Sequence, residues 1–435
     1  MQKIPTFRKG GIHPDDKKVL SNRQAIERLP VPAELIIPLS QHIGAPALPL
    51  KQKGDRVEAG EKIGQGASFI SADIHSPVNG TVTALNKVTL ANSVVSDAFV
   101  ITPDTENPMG IWEERPYEAF SAAELQKIVK DLGIVGAGGA TFPTHIKLTV
   151  PRGKTVDALV VNGVECEPYL TADHRLMLEH SEMVVRGVML VARMTNPKKI
   201  IIGVENNKKD AIVALRKVIA EHDFPIVVTP LKVKYPQGDE KQLLKATIKR
   251  EIPSGKLPLD VGAVVLNVAT AFAIYEAVAY NKPLIERIVT VSGEAIATKR
   301  NLRVLIGTKV ADLLAYAGLA EEAETYIAGG PMMGFAFYDD QTPIIKGTSG
   351  ILAFTEEAHK QAPVSPCISC GRCIAACPMG LQPTKLYRLI DHRQYSEAMA
   401  TNLMDCKECG CCAFVCPAHL PLVHAMKLGK RLGRK

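Results

Sequence analysis

Cys367-Ile368-Ser369-Cys370-Gly371-Arg372-Cys373-Ile374-Ala375-Ala376-Cys377-Pro378 and Cys406-Lys407-Glu408-Cys409-Gly410-Cys411-Cys412-Ala413-Phe414-Val415-Cys416-Pro417 are two copies of one pattern, C-x2-C-x2-C-x3-C-P. Three closely spaced thiolates cap three irons of one cubane, and the fourth thiolate reaches the other cubane, so two such runs fold as one interlocked unit. The spacing assigns Cys367, Cys370, Cys373 and Cys416 to one [4Fe–4S] cluster. It assigns Cys377, Cys406, Cys409 and Cys412 to the other. Using Cys412 reproduces the gaps of the first run, whereas Cys411 breaks them. Zinc knuckles are the competing reading. They use two pairs of ligands, not four cysteines in so short a run with a proline behind, twice over.

The remaining composition sets limits. A chain of 435 residues is expected to form several domains. Eight of its ten cysteines lie in the two runs, and Met1 to Gly10 is polar and basic, so neither a disulfide framework nor a secretory leader is expected. A reducing compartment follows. The longest apolar stretches are strand-sized or interrupted, too short to span a bilayer. Net charge is +7. Lys427, Lys430, Arg431, Arg434 and Lys435 crowd the end of the chain. They read either as a solvated tail or as a contact for an anionic membrane or acidic partner. Aromatic content of 5% and the absence of a recognition motif argue against nucleic acid.

Along the chain, residues 1–112 read as an N-terminal β-rich unit. Gly54-Asp55, Gly60-Glu61 and His75-Ser76-Pro77-Val78-Asn79-Gly80 alternate turn and strand chemistry. The pattern resembles the barrel-sandwich fold of biotinyl and lipoyl domains. Ala72-Asp73-Ile74-His75 falls where those domains carry a modified lysine at a hairpin tip, so a swinging arm is not expected. Residues 113–285 read as an α/β unit with strands at 158–161, 200–204, 226–228 and 263–266, and helices near 174–195, 207–222 and 239–250. Such alternation builds a parallel sheet with covered faces, whose ligands sit beyond the carboxyl ends of the strands. Residues 286–350 read as a small β-grasp unit. A linker near Gln361-Ala362-Pro363 leads to the cluster domain at 364–425 and a basic tail at 426–435.

Gly136-Ala137-Gly138-Gly139-Ala140-Thr141-Phe142 is a second signal. Its glycines let backbone N–H groups approach a phosphate or a flat ring, and Lys147 follows within reach of a phosphate. Alone, the loop fits a plain turn as well. Three further segments each lie just past a strand. They are Asn162 to Pro168, containing Glu165 and Glu167; Tyr235 to Glu240, containing Gly238 and Asp239; and Asn267 to Thr270. Amides and carboxylates converging on a sheet's carboxyl edge are what a nucleotide site needs, although Asp239 equally suits a helix cap.

These segments look like the flavin subunit of respiratory complex I. With Gly10-Gly11-Ile12-His13-Pro14-Asp15-Asp16-Lys17-Lys18 at the start and the two-cluster ferredoxin domain at the end, residues 1 to about 425 closely resemble the RnfC family of the Rnf (Rsx) electron transport complexes. The resemblance implies FMN, NAD(H) and two [4Fe–4S] clusters. It assigns FMN contacts to Gly136, Gly138, Gly139, Lys147, Asn162, Glu165, Gly238, Asp239, Asn267 and Thr270. It turns Phe142, Glu167, Tyr235 and Glu240 toward NAD(H). The family pattern departs at Ala137, Asp239 and Ala269. The implied role is an NADH-facing subunit of an ion-translocating ferredoxin:NAD+ oxidoreductase, peripheral on the cytoplasmic side of a bacterial inner membrane. Its partners would be the other subunits, with ferredoxin reached through them. Two other readings are a cobalamin-reductase-like flavin enzyme and a non-catalytic iron–sulfur adapter.

Overall fold

The computed structural model describes residues 4–357 and 362–433. Gln361 of the expected linker, Arg434 and Lys435 of the basic end, and residues 1–3 lie outside them.

Four parallel strands form the central sheet, in the order Ile226–Leu231, Lys199–Glu205, Ala158–Gly163, Ala263–Asn267. Side chains alternate across it, as a strand's two-residue period demands. Leu159 and Val161 join the large core with Ile202, Val204, Val264 and Leu266, under helices Ser181–Thr195, Lys209–Glu221 and Val268–Tyr280. Ala158 and Val160 join Leu243 and Leu244 on the opposite face. The helix expected over 174–195 is two, Ala172–Glu179 and Ser181–Thr195, broken at His180. The helix expected over 239–250 ends earlier, as Glu240–Thr247.

The N-terminal unit is a sandwich of two sheets. One runs Leu35–Pro38, Val95–Pro103, Gly80–Thr89, Arg56–Val57, and the other Leu48–Pro49, Lys62–Gln65, Ile74–His75. Its hairpin tip differs from expectation. Ala72 to His75 are buried, and the exposed bend is Ser68, Phe69 and Ile70. No lysine stands there either.

Three boundaries also move. The β-grasp sheet does not end at 350, because strand Gly350–Thr355 pairs in parallel with Glu286–Ser292 and in antiparallel fashion with Ala323–Ala328. Strand Ile26–Arg28, expected in the N-terminal unit, instead completes the edge of that sheet against Arg300–Leu305. Residues before it form a strap. Ile12 bridges Tyr235, and Gly11 N–H donates to Ala376 O at 2.9 Å. The expected tail at 426–435 begins inside helix Leu422–Leu432. There Met426 packs in a core with Leu386, Ile390 and Leu403, and Lys430 Nζ donates to Cys406 O and Glu408.

Lys346 sits where three units meet. Its fully buried Nζ donates to Asp73 O and Gly133 O, both at 2.7 Å, and its backbone N–H donates to Gln41 Oε1. Burial pushes the ammonium down to about 7, against the attraction of Asp73. A neutral amine has two N–H donors, and both are used. The folded value lies below the ordinary lysine value of 10.5, so between these limits the unfolded chain holds a proton the folded chain lacks. Stability therefore rises with pH across that window, by up to about 1.4 kcal/mol per pH unit. Denaturant unfolding from pH 7 to 9.5 should show this rise in the wild type and lose it in Lys346→Met; parallel slopes would refute it.

Candidate functional site

The central sheet presents its polar residues at the carboxyl edge, where each strand hands over to a loop or helix. Asn267 ends its strand and caps helix Val268–Tyr280, its Oδ1 accepting from Ala269 N–H at 2.7 Å. Its Nδ2 donates to Asp173 at 2.7 Å. Thr270, in the first turn of that helix, accepts from Ala137 N–H at 2.9 Å and so pins the glycine loop to the sheet. Arg287, wholly buried and arriving from the β-grasp unit, donates to Ala137 O at 3.1 Å. Asn162 donates to Gly238 O at 2.8 Å, joining two of the edge loops. Asp239 accepts from Lys241 and Gln242 N–H, which makes it the cap of helix Glu240–Thr247. Lys147 lies on helix Thr144–Leu148, just beyond the loop. Phe142 and Glu240 are half-buried at the rim.

The edge thus sets the glycine loop beside Asn267 and Thr270, and Asn162 beside Gly238 and the Asp239 cap. The residues fit a flavin nucleotide. At Gly139, φ is +71° and a Cβ would meet nothing within 4 Å, so this peptide faces open space. At the neighbouring Gly138, Asn267 Nδ2 lies 3.6 Å from where a Cβ would be, so an amide side chain borders the loop, as a polar-edged ring with a phosphate requires.

The carboxylates too are held by partners inside the protein. Glu165 accepts from Asp173 N–H at 2.7 Å and His174 N–H at 3.2 Å, holding the start of helix Ala172–Glu179. Burial, then the nearby Glu165, pushes Asp173 up to about 6. Glu167 accepts from Tyr235 OH at 3.2 Å and from Met332 N–H at 3.0 Å. Burial pushes Glu167 up to about 7, and those two hydrogen bonds oppose it. Lys18, buried, donates to Glu167 O and Leu170 O. Glu165 and Glu167 therefore have partners inside the protein. Tyr235 is buried too, packed with Ile12, Ala376, Cys409 and Cys411. Lys18, Asp173 and Arg287 were not expected at the site from sequence. Lys18 closes the Gly10 to Lys18 motif, which gave it no role at the site, and nothing in the spacing of Asp173 or Arg287 marks them.

The two cysteine runs share one backbone. Ser369 and Glu408 have φ of 57° and 55°, and Gly371 and Gly410 have 72° and 78°. Each glycine starts a short helix, Arg372–Ala376 and Cys411–Phe414. Cys412 thus corresponds to Cys373, and Cys411 to Arg372. One cavity of about 210 Å³ is lined by Cys367, Cys370, Cys373 and Cys416. A second, tighter cavity is lined by Cys377, Cys406, Cys409 and Cys412, with Cys411 also on its wall. Among the described residues no group of three such side chains converges as on a single metal ion. A cubane asks for a different arrangement, one thiolate at each iron corner. Both sets fit it in number and kind. Backbone N–H groups of Ser369, Leu381 and Glu408 point at Cys367, Cys377 and Cys406 Sγ, each at 3.4 Å.

The second cavity lies against the sheet's edge. Lys407 pairs with Asp239 and Lys241 with Asp405, each at 3.8 Å. Gln242 donates to Met379 Sδ at 3.4 Å. A Cβ on Gly10 would sit 2.4 Å from Cys377 O, so the strap passes directly over this cluster run. No helix among the described residues is long and apolar enough to cross a membrane.

Four family profiles match consecutive stretches: an RnfC barrel sandwich hybrid domain (6–106), a Nuo51 FMN-binding domain (129–276), an SLBB domain (288–336) and a 4Fe-4S dicluster domain (366–420). The C subunit of the proton-translocating ferredoxin:NAD(+) oxidoreductase complex of Clostridium ljungdahlii is 44% identical over 406 residues, covering 92% of this chain and 88% of its own. The C subunit of the Na(+)-translocating ferredoxin:NAD(+) oxidoreductase complex of Acetobacterium woodii is 42% identical, covering 97% of this chain and 96% of its own. The C subunit of an ion-translocating oxidoreductase complex of Rhodobacter capsulatus is 41% identical, covering 98% and 84%. An NAD+-reducing [NiFe]-hydrogenase in the H2-reduced state shares the fold, with a TM-score of 0.51 at 16% identity over 73% of this chain and 61% of its own.

Proposed function

Because the chain belongs to the RnfC family, the C subunits of ion-translocating ferredoxin:NAD+ oxidoreductase complexes, we propose that it is the NAD(H)-facing electron-transfer subunit of such a complex. The observation that carries this reading is one of place: the segment 235–242 joins the sheet's carboxyl edge to the tighter cysteine cavity, Gly238 O accepting from Asn162 while Asp239 pairs with Lys407 and Gln242 donates to Met379, both on the cavity's wall. Bound FMN supplies the exchange between the two electrons of a nicotinamide and the single electrons of iron–sulfur clusters.

The chain's own residues do the rest. Gly138, Gly139, Asn162, Gly238, Asn267 and Thr270 would hold and orient the flavin, with Arg287 bracing the glycine loop and Asp173 holding Asn267. Phe142 and Glu240 form the rim over which the nicotinamide enters. Glu167 and Tyr235 lie below, tying the sheet edge to the turn at 329–334 and to the strap. Their burial keeps water out of the gap between cleft and cavity. The partners are the other subunits of a membrane complex, and ferredoxin is reached through them. We place the protein peripherally on the cytoplasmic face of a bacterial inner membrane.

The test is direct. The purified, cluster-loaded chain should bind one FMN and reduce a dye with NADH. Gly139→Val puts a β-branched residue at a φ of +71° and fills the cradle. It should weaken FMN binding by about tenfold or more, roughly 1.4 kcal/mol, with iron content unchanged. A chain that binds no FMN, or a Gly139→Val variant that binds it as well as wild type, would sink the assignment.

A further inference from the structure

Arg287 is a buried cation with no counter-ion in contact. It stands on strand Glu286–Ser292 of the β-grasp unit and is 5% exposed. Its neighbour Glu286 points to the other face, as alternation along a strand requires, and is taken up by Lys282 and Arg303. Arg287 Nη2 donates to Ala137 O at 3.1 Å, and its buried Nε has no hydrogen-bond partner. Among the described residues the one charge that acts on it is Asp173, through space and not by a hydrogen bond. A guanidinium buried in this way is costly unless something answers its charge.

One peptide carries that charge across the glycine loop. Ala137 O and Gly138 N–H belong to the same trans peptide, whose C=O and N–H point in opposite directions. Ala137 is buried and its oxygen turns inward to Arg287, so the N–H of the exposed Gly138 turns outward. Among the described residues nothing accepts from this N–H. A carbonyl that accepts from a guanidinium is polarised, and the N–H of its peptide becomes the stronger donor. Asn267 Nδ2 lies beside it, 3.6 Å from where a Cβ of Gly138 would be. One of its two N–H groups goes to Asp173, and no acceptor among the described residues takes the other. The β-grasp unit also fixes the far side of the loop, where a Cβ on Gly347 would sit 2.2 Å from Thr141 Cγ2.

We propose that Arg287 is the counter-charge of the reduced flavin: acting through the Ala137–Gly138 peptide, it stabilises the negative charge that the pyrimidine edge of the ring gains on reduction. This rests on the function proposed above and deepens it. A hydride brings two electrons and one proton, so accepting one leaves the flavin with one more negative charge, while the nicotinamide is oxidised by the same two electrons. Charge placed near the ring nitrogens is how a protein tunes a flavin. Gly138 N–H and the remaining Asn267 Nδ2–H are the two donors offered to that edge. Both are in place before the charge appears, so nothing has to reorganise when it does. Arg287 acts through the peptide and not on the ring, which makes it a positioning residue. Asp173 opposes it wherever that carboxyl is ionised, above the value of about 6 to which burial raises it.

The experiment measures the midpoint potential of the bound flavin in the purified, cluster-loaded chain at pH 8, by visible absorbance, with the clusters titrated by EPR in the same samples. Arg287→Met should weaken the preference for reduced over oxidised flavin about tenfold, which lowers a two-electron potential by about 30 mV. Arg287→Lys keeps a positive charge and should hold that preference to within about threefold of wild type. Asp173→Asn keeps an acceptor for Asn267, removes the opposing charge, and should raise the potential. The cluster potentials should not move. A mere brace gives no such pair of opposite shifts, because a loosened loop weakens both flavin states alike. Wild-type potentials in Arg287→Met and Asp173→Asn would overturn the proposal, and so would a lowered potential in Asp173→Asn, which decides the matter if Arg287→Met holds no flavin. Loss of FMN affinity in Arg287→Met, with riboflavin affinity and the potential unchanged, would overturn it too, since the charge would then serve the phosphate. A wild-type chain that binds no FMN would sink the function proposed above together with this role, whereas wrong potentials in flavin-loaded variants would sink this role alone.

Discussion

Cys412→Ser should cost the protein about four of its roughly eight irons, whereas Cys411→Ser should keep them all. The two adjacent thiols look interchangeable until the backbone is compared. Both runs place a left-handed residue between the first and second cysteines and a left-handed glycine after the second. The third cysteine then falls on the second residue of the short helix, which is Cys373 in one run and Cys412 in the other. Cys411 takes the position of Arg372. It is fully buried on the wall of the cavity, against Ile12, Tyr235 and Ala376, as a small hydrophobe would be. Serine at 412 offers a poor iron ligand at one corner; serine at 411 changes only packing. Iron and sulfide analysis with low-temperature EPR distinguishes them. Iron loss from the Cys411 variant and not the Cys412 variant would reverse the assignment.

Glu286→Leu should destabilise the fold by about 3–5 kcal/mol, the usual consequence of removing one partner from a buried charge network. Glu286 starts the strand that links the α/β unit to the β-grasp sheet. Lys282 Nζ donates to it at 2.6 Å and Arg303 Nε at 2.8 Å, and Arg28 pairs with its other oxygen. Burial raises its pKa, but Arg303, Lys282 and Arg28 together outweigh burial and hold it well below the usual carboxylate range. Leucine would leave Arg303 and Lys282 with Glu276 alone. A depressed carboxylate contributes stability that is present above its unfolded value of about 4.5 and lost as pH falls below it. The gap between wild type and Glu286→Leu should therefore narrow in acid. Chemical denaturation at pH 7 and pH 4 measures both effects, and a gap under about 1 kcal/mol at pH 7 would contradict the network's role.

What could be read from the sequence was what local pattern encodes. The runs Ala158 to Val161 and Ala263 to Leu266 announce buried parallel strands because every residue is apolar, and the doubled cysteine spacing repeats its meaning without help from elsewhere. Asn162, Asn267 and Asp239 were visible as polar residues at strand ends. The engagement of Glu165 and Glu167 was not, since their partners are backbone N–H groups of Asp173, His174 and Met332 in other elements. Arg287 reads as one charged residue in a strand. Only the tertiary fold turns it inward onto the glycine loop. The edge strand Ile26–Arg28 carries too little pattern in three residues to reveal a partner so distant in sequence.

That pairing governs the order in which the molecule can be completed during synthesis. Ile26–Arg28 finds its neighbour only when Arg300–Leu305 has emerged from the ribosome, and the strap of Gly10 to Ile12 finds its last contact only when Ala376 has. Both segments therefore wait, once made, for partners far behind them in the chain. Folding of the first cysteine run is thus also what fastens the strap.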